Sequence, residues 1–175
     1  MKTRIPRSAR ALWSTGLKGL AALVGIPAAA AALVAGDAAA ERSFDTACTG
    51  TYFIQESNGA VDLWTIHRDG TLINTSFGEQ ASNFSTQHGT WKEVGPLRAR
   101  AIQLDLHWTP EGGFASIGRV DISIQGENGA CDTIVGEAVA RLFEAEEDFL
   151  NPETDSGTPF NFAFSGFRVD VSPER

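Results

Sequence analysis

The chain has 175 residues, 14 Lys and Arg against 22 Asp and Glu, a formal net charge of −8, and two cysteines. That length suits one domain of ordinary size. The acidic balance repels phosphate backbones and anionic membrane surfaces, so it speaks against nucleic acid and lipid headgroups as partners.

Residues 1–40 read as a secretory signal. Met1–Lys18 carries Lys2, Arg4, Arg7, Arg10 and Lys18 without an acid, and Gly19–Gly36 is an uncharged Ala/Leu/Val run. Asp37-Ala38-Ala39-Ala40 then supplies the small residues of a cleavage site. The apolar run approaches membrane-spanning length, but its Ala/Gly content and Pro27 make it a poor anchor. Without residues 1–40 the chain keeps 9 basic and 21 acidic residues, a net charge of −12. A secreted or periplasmic location follows, with no membrane attachment after cleavage.

Residues 41–47 read as an exposed leader, and residues 48–175 as a β-barrel domain. Strands are expected at Thr49–Glu56, Val61–Arg68 and Thr71–Phe77, joined by Asn58-Gly59 and Asp69-Gly70. Both dipeptides suit tight hairpins because the turn positions need φ > 0. Two-residue loops would set Phe53 against Trp64 and Ile66 against Ile73. Gly78–Ser85 is a Ser/Asn/Gln-rich loop, and Gln87–Val94 is the fourth strand.

Arg98–Trp108 and Phe114–Ile124 show the clearest pattern. Ile102, Leu104, Leu106 and Trp108 alternate with Ala101, Gln103, Asp105 and His107. Phe114, Val120, Ile122 and Ile124 alternate with Ala115, Arg119, Asp121 and Ser123. A period of two marks half-buried antiparallel strands. With Glu111 at the centre of the turn, Trp108 faces Phe114, Leu106 faces Ser116 and Ile102 faces Val120. Even numbers then share the core side, which puts Asp105, Arg119 and Asp121 outside as a cross-strand ion pair; the alternative turns that face inward, where a buried Asp–Arg pair would shape a polar pocket. Ala130–Phe143, an acidic loop over Glu144–Pro159, and a Phe-rich strand Phe160–Val171 complete the chain.

Eight neighbouring strands in up-and-down order can close into a barrel, which removes both sheet edges. The expected fold is therefore all-β, an eight-stranded antiparallel up-and-down barrel. Gly50-Thr51-Tyr52 at the head of the first strand, followed by this meander, resembles the calycin superfamily of lipocalins, avidin-like and fatty-acid-binding proteins. It is also similar to small barrels of the allene oxide cyclase type. Lipocalins usually have Trp where Tyr52 stands, and a later Thr-Asp-Tyr triplet that this chain lacks, so no functional residue is carried over.

Cys48 and Cys131 are expected to pair, as an even count in an exported chain suggests. Tyr52, Trp64, Trp91, Trp108, Leu106 and Ile122 are the candidates to line a ligand cavity. Glu137 is the first candidate for a catalytic carboxylate and Asp105 the second, since an acid in an apolar barrel can serve as general acid or base. A two-residue Asn128-Gly129 turn would put Glu137 beside Val120 on the inside. His67, His88 and His107 are far apart in sequence and read as unrelated surface or rim residues, so no metal and no cofactor is expected. The first functional reading is an exported barrel that binds a small, largely apolar molecule without chemistry. The alternatives are a cofactor-independent isomerase or cyclase using a buried carboxylate, and a structural extracellular domain with an unidentified protein partner.

Overall fold

The computed structural model describes residues 42–154 and 157–170. The signal reading of residues 1–40 lies outside them. Eight antiparallel strands close into a barrel in sequence order: β1 Gly50–Glu56, β2 Val61–Ile66, β3 Thr71–Ser76, β4 Gln87–Gly95, β5 Arg98–Trp108, β6 Phe114–Gly126, β7 Thr133–Phe143 and β8 Phe160–Arg168. β1 pairs with β8, so no edge remains. The only helical pieces among the described residues are α1 (Phe44–Ala47), α2 (Glu79–Ser82) and a 3-10 turn at Pro152–Thr154.

Three hairpins use one turn. Glu56 N donates to Ala60 O, His67 N to Thr71 O and Thr109 N to Gly113 O. Each turn thus holds three residues and ends in a glycine, Gly59, Gly70 or Gly112, at φ +93°, +90° and +88°. This is the type I turn with a left-handed third residue, a position that a side chain strains. The first two loops are one residue longer than the Asn-Gly and Asp-Gly dipeptides imply. Because strand side chains alternate, that residue changes which faces meet. Tyr52 pairs with Trp64, Phe53 with Leu63, and Ile66 with Leu72. Tyr52, Ile54, Trp64, Ile66 and Leu72 are buried, whereas Phe53, expected to face Trp64, is exposed.

The β5–β6 hairpin departs further. Trp108 does pair with Phe114 across the turn centred on Glu111, as expected. A bulge then inserts Ala115, so His107 pairs with Ser116, Leu106 with Ile117 and Ile102 with Asp121. From there on, odd residues of β5 share a face with even residues of β6. Ala99, Ala101, Gln103 and Asp105 are buried together with Val120, Ile122 and Ile124. Ile102, Leu106 and Trp108 are exposed on the outer surface. The polar side of β5 therefore faces the barrel interior, the reverse of the expected arrangement. Arg119 does stay outside, but it is covered. It donates to both oxygens of Asp121 and, through Nη1, to Phe149 O and Leu150 O at 2.9 Å. Arg141 donates to the same Asp121 at 3.0 Å. The pair clamps the loop after β7 to the outer wall.

One end of the barrel is sealed. Residues 44–47, expected to be exposed leader, form α1 instead, with Phe44 fully buried against Trp91 at 5.1 Å. The reason is Phe44 itself, whose burial outweighs solvation of so short a helix. A Cys48–Cys131 disulfide spans 83 residues and fastens this plug to the β6–β7 loop. Tyr52 Oη lies 3.1 Å from Cys48 O and 2.9 Å from Cys131 O, and accepts from Arg168 at 2.9 Å. The Arg168 guanidinium also donates to the carbonyls of Ala47, Thr49, Ala130 and Cys131. Burial raises the Tyr52 pKa, and the Arg168 charge partly opposes that rise.

Removing the cross-link with Cys48→Ala and Cys131→Ala should lower stability by up to about 4 kcal/mol, the loop-entropy value for a ring of this size. Urea denaturation of the purified variant measures it. An unchanged midpoint would show that Arg168 and Tyr52 hold the plug without help.

Candidate functional site

The other end of the barrel is open and polar inside. Alternation carries the inward face of β2 from Trp64 and Ile66 to Asp62, and that of β3 from Leu72 to Asn74. On β4 and β5 the inward positions at this end are Gln87, Gly89, Gln103, Asp105 and His107. A continuous polar belt thus crosses four adjacent strands. Asn74 Nδ2 donates to Gln87 Oε1 at 2.7 Å and to Asp62 Oδ2 at 3.3 Å. Gln87 Nε2 donates to Asp105 Oδ2 at 2.8 Å. Trp64 Nε1 reaches Asp62 Oδ2 at 3.4 Å. Amide donors therefore run outward from the middle of the belt to a carboxylate at each end.

Glycines make the room. A Cβ on Gly89 would fall 2.8 Å from Gln103 Cγ. A Cβ on Gly118, which pairs with Asp105, would overlap Asp105 Oδ1 and come within 2.9 Å of His107 Nε2. His107 Nε2 stands 2.9 Å from Asp105 Oδ1, without the alignment of a hydrogen bond. The imidazole stacks on Phe84 at 5.5 Å, where the segment after α2 bridges back to the barrel rim.

Glu56 closes the belt on the β1 side. Its pKa is raised from 4.5 to about 7, first by burial and then by the neighbouring Asp62 carboxyl. Two carboxyls so placed hold one proton between them more readily than two charges. Near neutral pH such a group can give or take a proton.

Glu56, Asp62, Asn74, Gln87 and Gln103 line a chamber of about 380 Å3 whose other walls include Trp64, Phe84, Val120, Ala140, Phe160 and Phe162. A second space of about 380 Å3, bordered by Asp105, His107 and Leu142, adjoins it and shares Phe84, Gln87 and Phe160. A separate outer groove of about 510 Å3 crosses β4–β7, bounded by Lys92, Arg100, Ile102, Asp121, Glu137 and Val139. Most of those side chains belong to the outward face. It is a furrow in the barrel wall.

The sequence candidates are distributed unevenly. Trp64 lines the chamber. Tyr52, Trp91 and Ile122 point into the barrel, the first two at its sealed end. Leu106 and Trp108 point outward and line neither inner space. Glu137 pairs with Ser123 and is exposed on the outside, because the loop from Glu127 to Asp132 is longer than a two-residue turn. Asp105 is buried inside. Glu56, Asp62, Asn74, Gln87 and Gln103 were not among the candidates. Parity alone marks them, since Asp62 shares a face with Trp64, and Glu56 with Tyr52. Among the described residues no three His, Cys, Asp or Glu side chains group as a metal site would require.

No family model matches the chain, and no curated protein or solved structure shows significant similarity to it.

Two outcomes follow. Gly118→Ala should cost about 1–3 kcal/mol, because the added methyl must displace Asp105 from a packed interior; chemical denaturation would read it, and a neutral effect would mean that Asp105 moves freely. Glu56 gives a pH signature. Its folded pKa lies above the ordinary value, so between pH 4.5 and about 7 the folded chain keeps a proton that the unfolded chain has lost. Its contribution to stability therefore falls as pH rises through that window. Glu56→Gln should match the parent near pH 4.5 and exceed it by about 1 kcal/mol at pH 8, a figure reduced for solvent screening of a half-buried group. Parallel pH-stability curves for the two proteins would remove Glu56 from the account.

Proposed function

We propose that this barrel is exported and binds one small molecule in its open end, the ligand having a largely apolar body and a polar group at one side. The observation that carries the reading is the chamber of about 380 Å3, with aromatic rings and unpartnered amide and carboxylate atoms on the same walls. Its volume falls in the range of small-molecule sites, which are apolar with a few placed polar groups. Export rests on the basic and apolar order of residues 1–40 and on the disulfide, which persists only in oxidising compartments. No helix of the described residues is long and apolar enough to cross a membrane.

Proton transfer on the bound molecule, without a cofactor, is a second reading. It draws support from Asp105 and Glu56 facing inward, the latter with a pKa near 7. A protein partner draws support from Phe53, Leu63 and Phe167, exposed register neighbours on the outer face of β2, β1 and β8.

Fluorescence of N-phenyl-1-naphthylamine tests the binding reading. The parent should enhance it saturably at one probe per chain. Ala140→Trp, which fills the chamber from β7, should weaken binding by about tenfold or more. Equal enhancement by the variant, or none by the parent, would count against a ligand at this end.

A further inference from the structure

The chamber has an imbalance of hydrogen-bonding groups. Asp62 is 3% exposed, Asn74 3% and Gln103 0%. Asp62 Oδ1, Asn74 Oδ1 and Gln103 Oε1 have no partner in the protein, and Gln103 Nε2 is the one donor in that state beside them. Three acceptors against one donor ask for a ligand rich in N–H groups. The belt itself creates this excess, since Asn74 uses its amide nitrogen toward Asp62 and Gln87 and leaves its oxygen to the cavity.

Charge points the same way. The chamber wall holds Glu56 and Asp62 and no Lys or Arg. A buried carboxylate without a cation is costly, and a positive ligand relieves that cost. An organic cation matches better than a metal ion, because among the described residues no three His, Cys, Asp or Glu side chains group here. Trp64, Phe160 and Phe162 offer ring faces and edges on the same walls, and a cation gains from such faces. A sugar meets this site less well, because each hydroxyl brings acceptors as well as a donor.

We infer that the molecule held at the open end is a protonated organic amine, its ammonium donating to Asp62 and Asn74 and its apolar body lying against Trp64, Phe160 and Phe162. This rests on the binding reading above and names its ligand class. An ammonium has three donors and no acceptor, which is the complement of the unpartnered set. Burial first, and the neighbouring Asp62 second, raise the Glu56 pKa to about 7, and the Asp62 part of that rise is what a wall lacking its cation would show.

Isothermal titration of the protein with phenethylamine and with 2-phenylethanol separates the possibilities. The two probes share the ring and spacer and differ in the head. The amine should bind at least about tenfold more tightly, and Asp62→Asn should erase that margin. Asn74→Asp, which adds charge at the same wall, should widen it. Both variants are first checked for the parent's naphthylamine fluorescence, which shows that the chamber is intact. Equal affinity for the two probes with normal naphthylamine binding would overturn the amine assignment and leave the binding reading standing. Failure of all three probes in the parent would overturn both. An amine preference that survives Asp62→Asn, or one that Asn74→Asp leaves unchanged, would place the cation elsewhere and also overturn the assignment.

Discussion

One inserted residue, Ala115, decides what the barrel contains. Up to Trp108 and Phe114 the β5–β6 hairpin runs in the register its turn dictates. The bulge that follows shifts the pairing by one and exchanges the inner and outer faces of β5 relative to β6. Gln103 and Asp105 go inside, and Ile102 and Leu106 go out. Without that exchange the barrel would hold Ile102, Leu104 and Leu106 and would be filled with hydrocarbon, as an eight-stranded barrel readily is. The bulge thus brings the β5 members of the polar belt inside, and Gly89 and Gly118 are its necessary companions, since they face Gln103 and Asp105 across the ladder.

This explains how far the sequence could be read. Alternation located all eight strands, because period two survives whatever a strand pairs with. Closure followed from short connections. Register depends on single residues in turns and bulges, and those are not written in the alternation. Asn58-Gly59 and Asp69-Gly70 announce a turn but do not say whether Ser57 and Arg68 join it. Ala115 carries no mark of a bulge at all. Both errors have the same result, a face assigned to the wrong side. That is why Leu106 and Trp108 stand on the outer surface rather than in the cavity. Asp62 shares the face of Trp64 in either register, and only its polarity hides it among core positions.

The two ends of the barrel divide the work. At the sealed end the disulfide, the Tyr52 hydroxyl and the five-fold donor Arg168 satisfy the carbonyls of α1, β1 and the β6–β7 loop together. Arg168 meets carbonyl oxygens and a phenol there, so its charge is neutralised by dipoles rather than by an acid. At the open end the situation is reversed. Acids and amides there have partners among themselves but keep atoms unmatched, a condition that costs stability and is tolerated where a site is being held ready.

The arrangement around the barrel wall gives that readiness a direction. Strands β2 to β5 supply Asp62, Asn74, Gln87, Gln103 and Asp105 in unbroken succession. In a closed ring of eight, β8 lies across from β4. It supplies Phe160 and Phe162 to the same chamber, and Gly136 and Gly166 give Phe164 and Ile54 space below. The chamber is therefore polar along β2–β5, with Trp64 among the polar groups, and aromatic at Phe160 and Phe162 of β8. A wholly apolar molecule would leave the belt unmatched, and a wholly polar one would waste the rings. A two-faced guest of the kind proposed would satisfy both sets of groups at once.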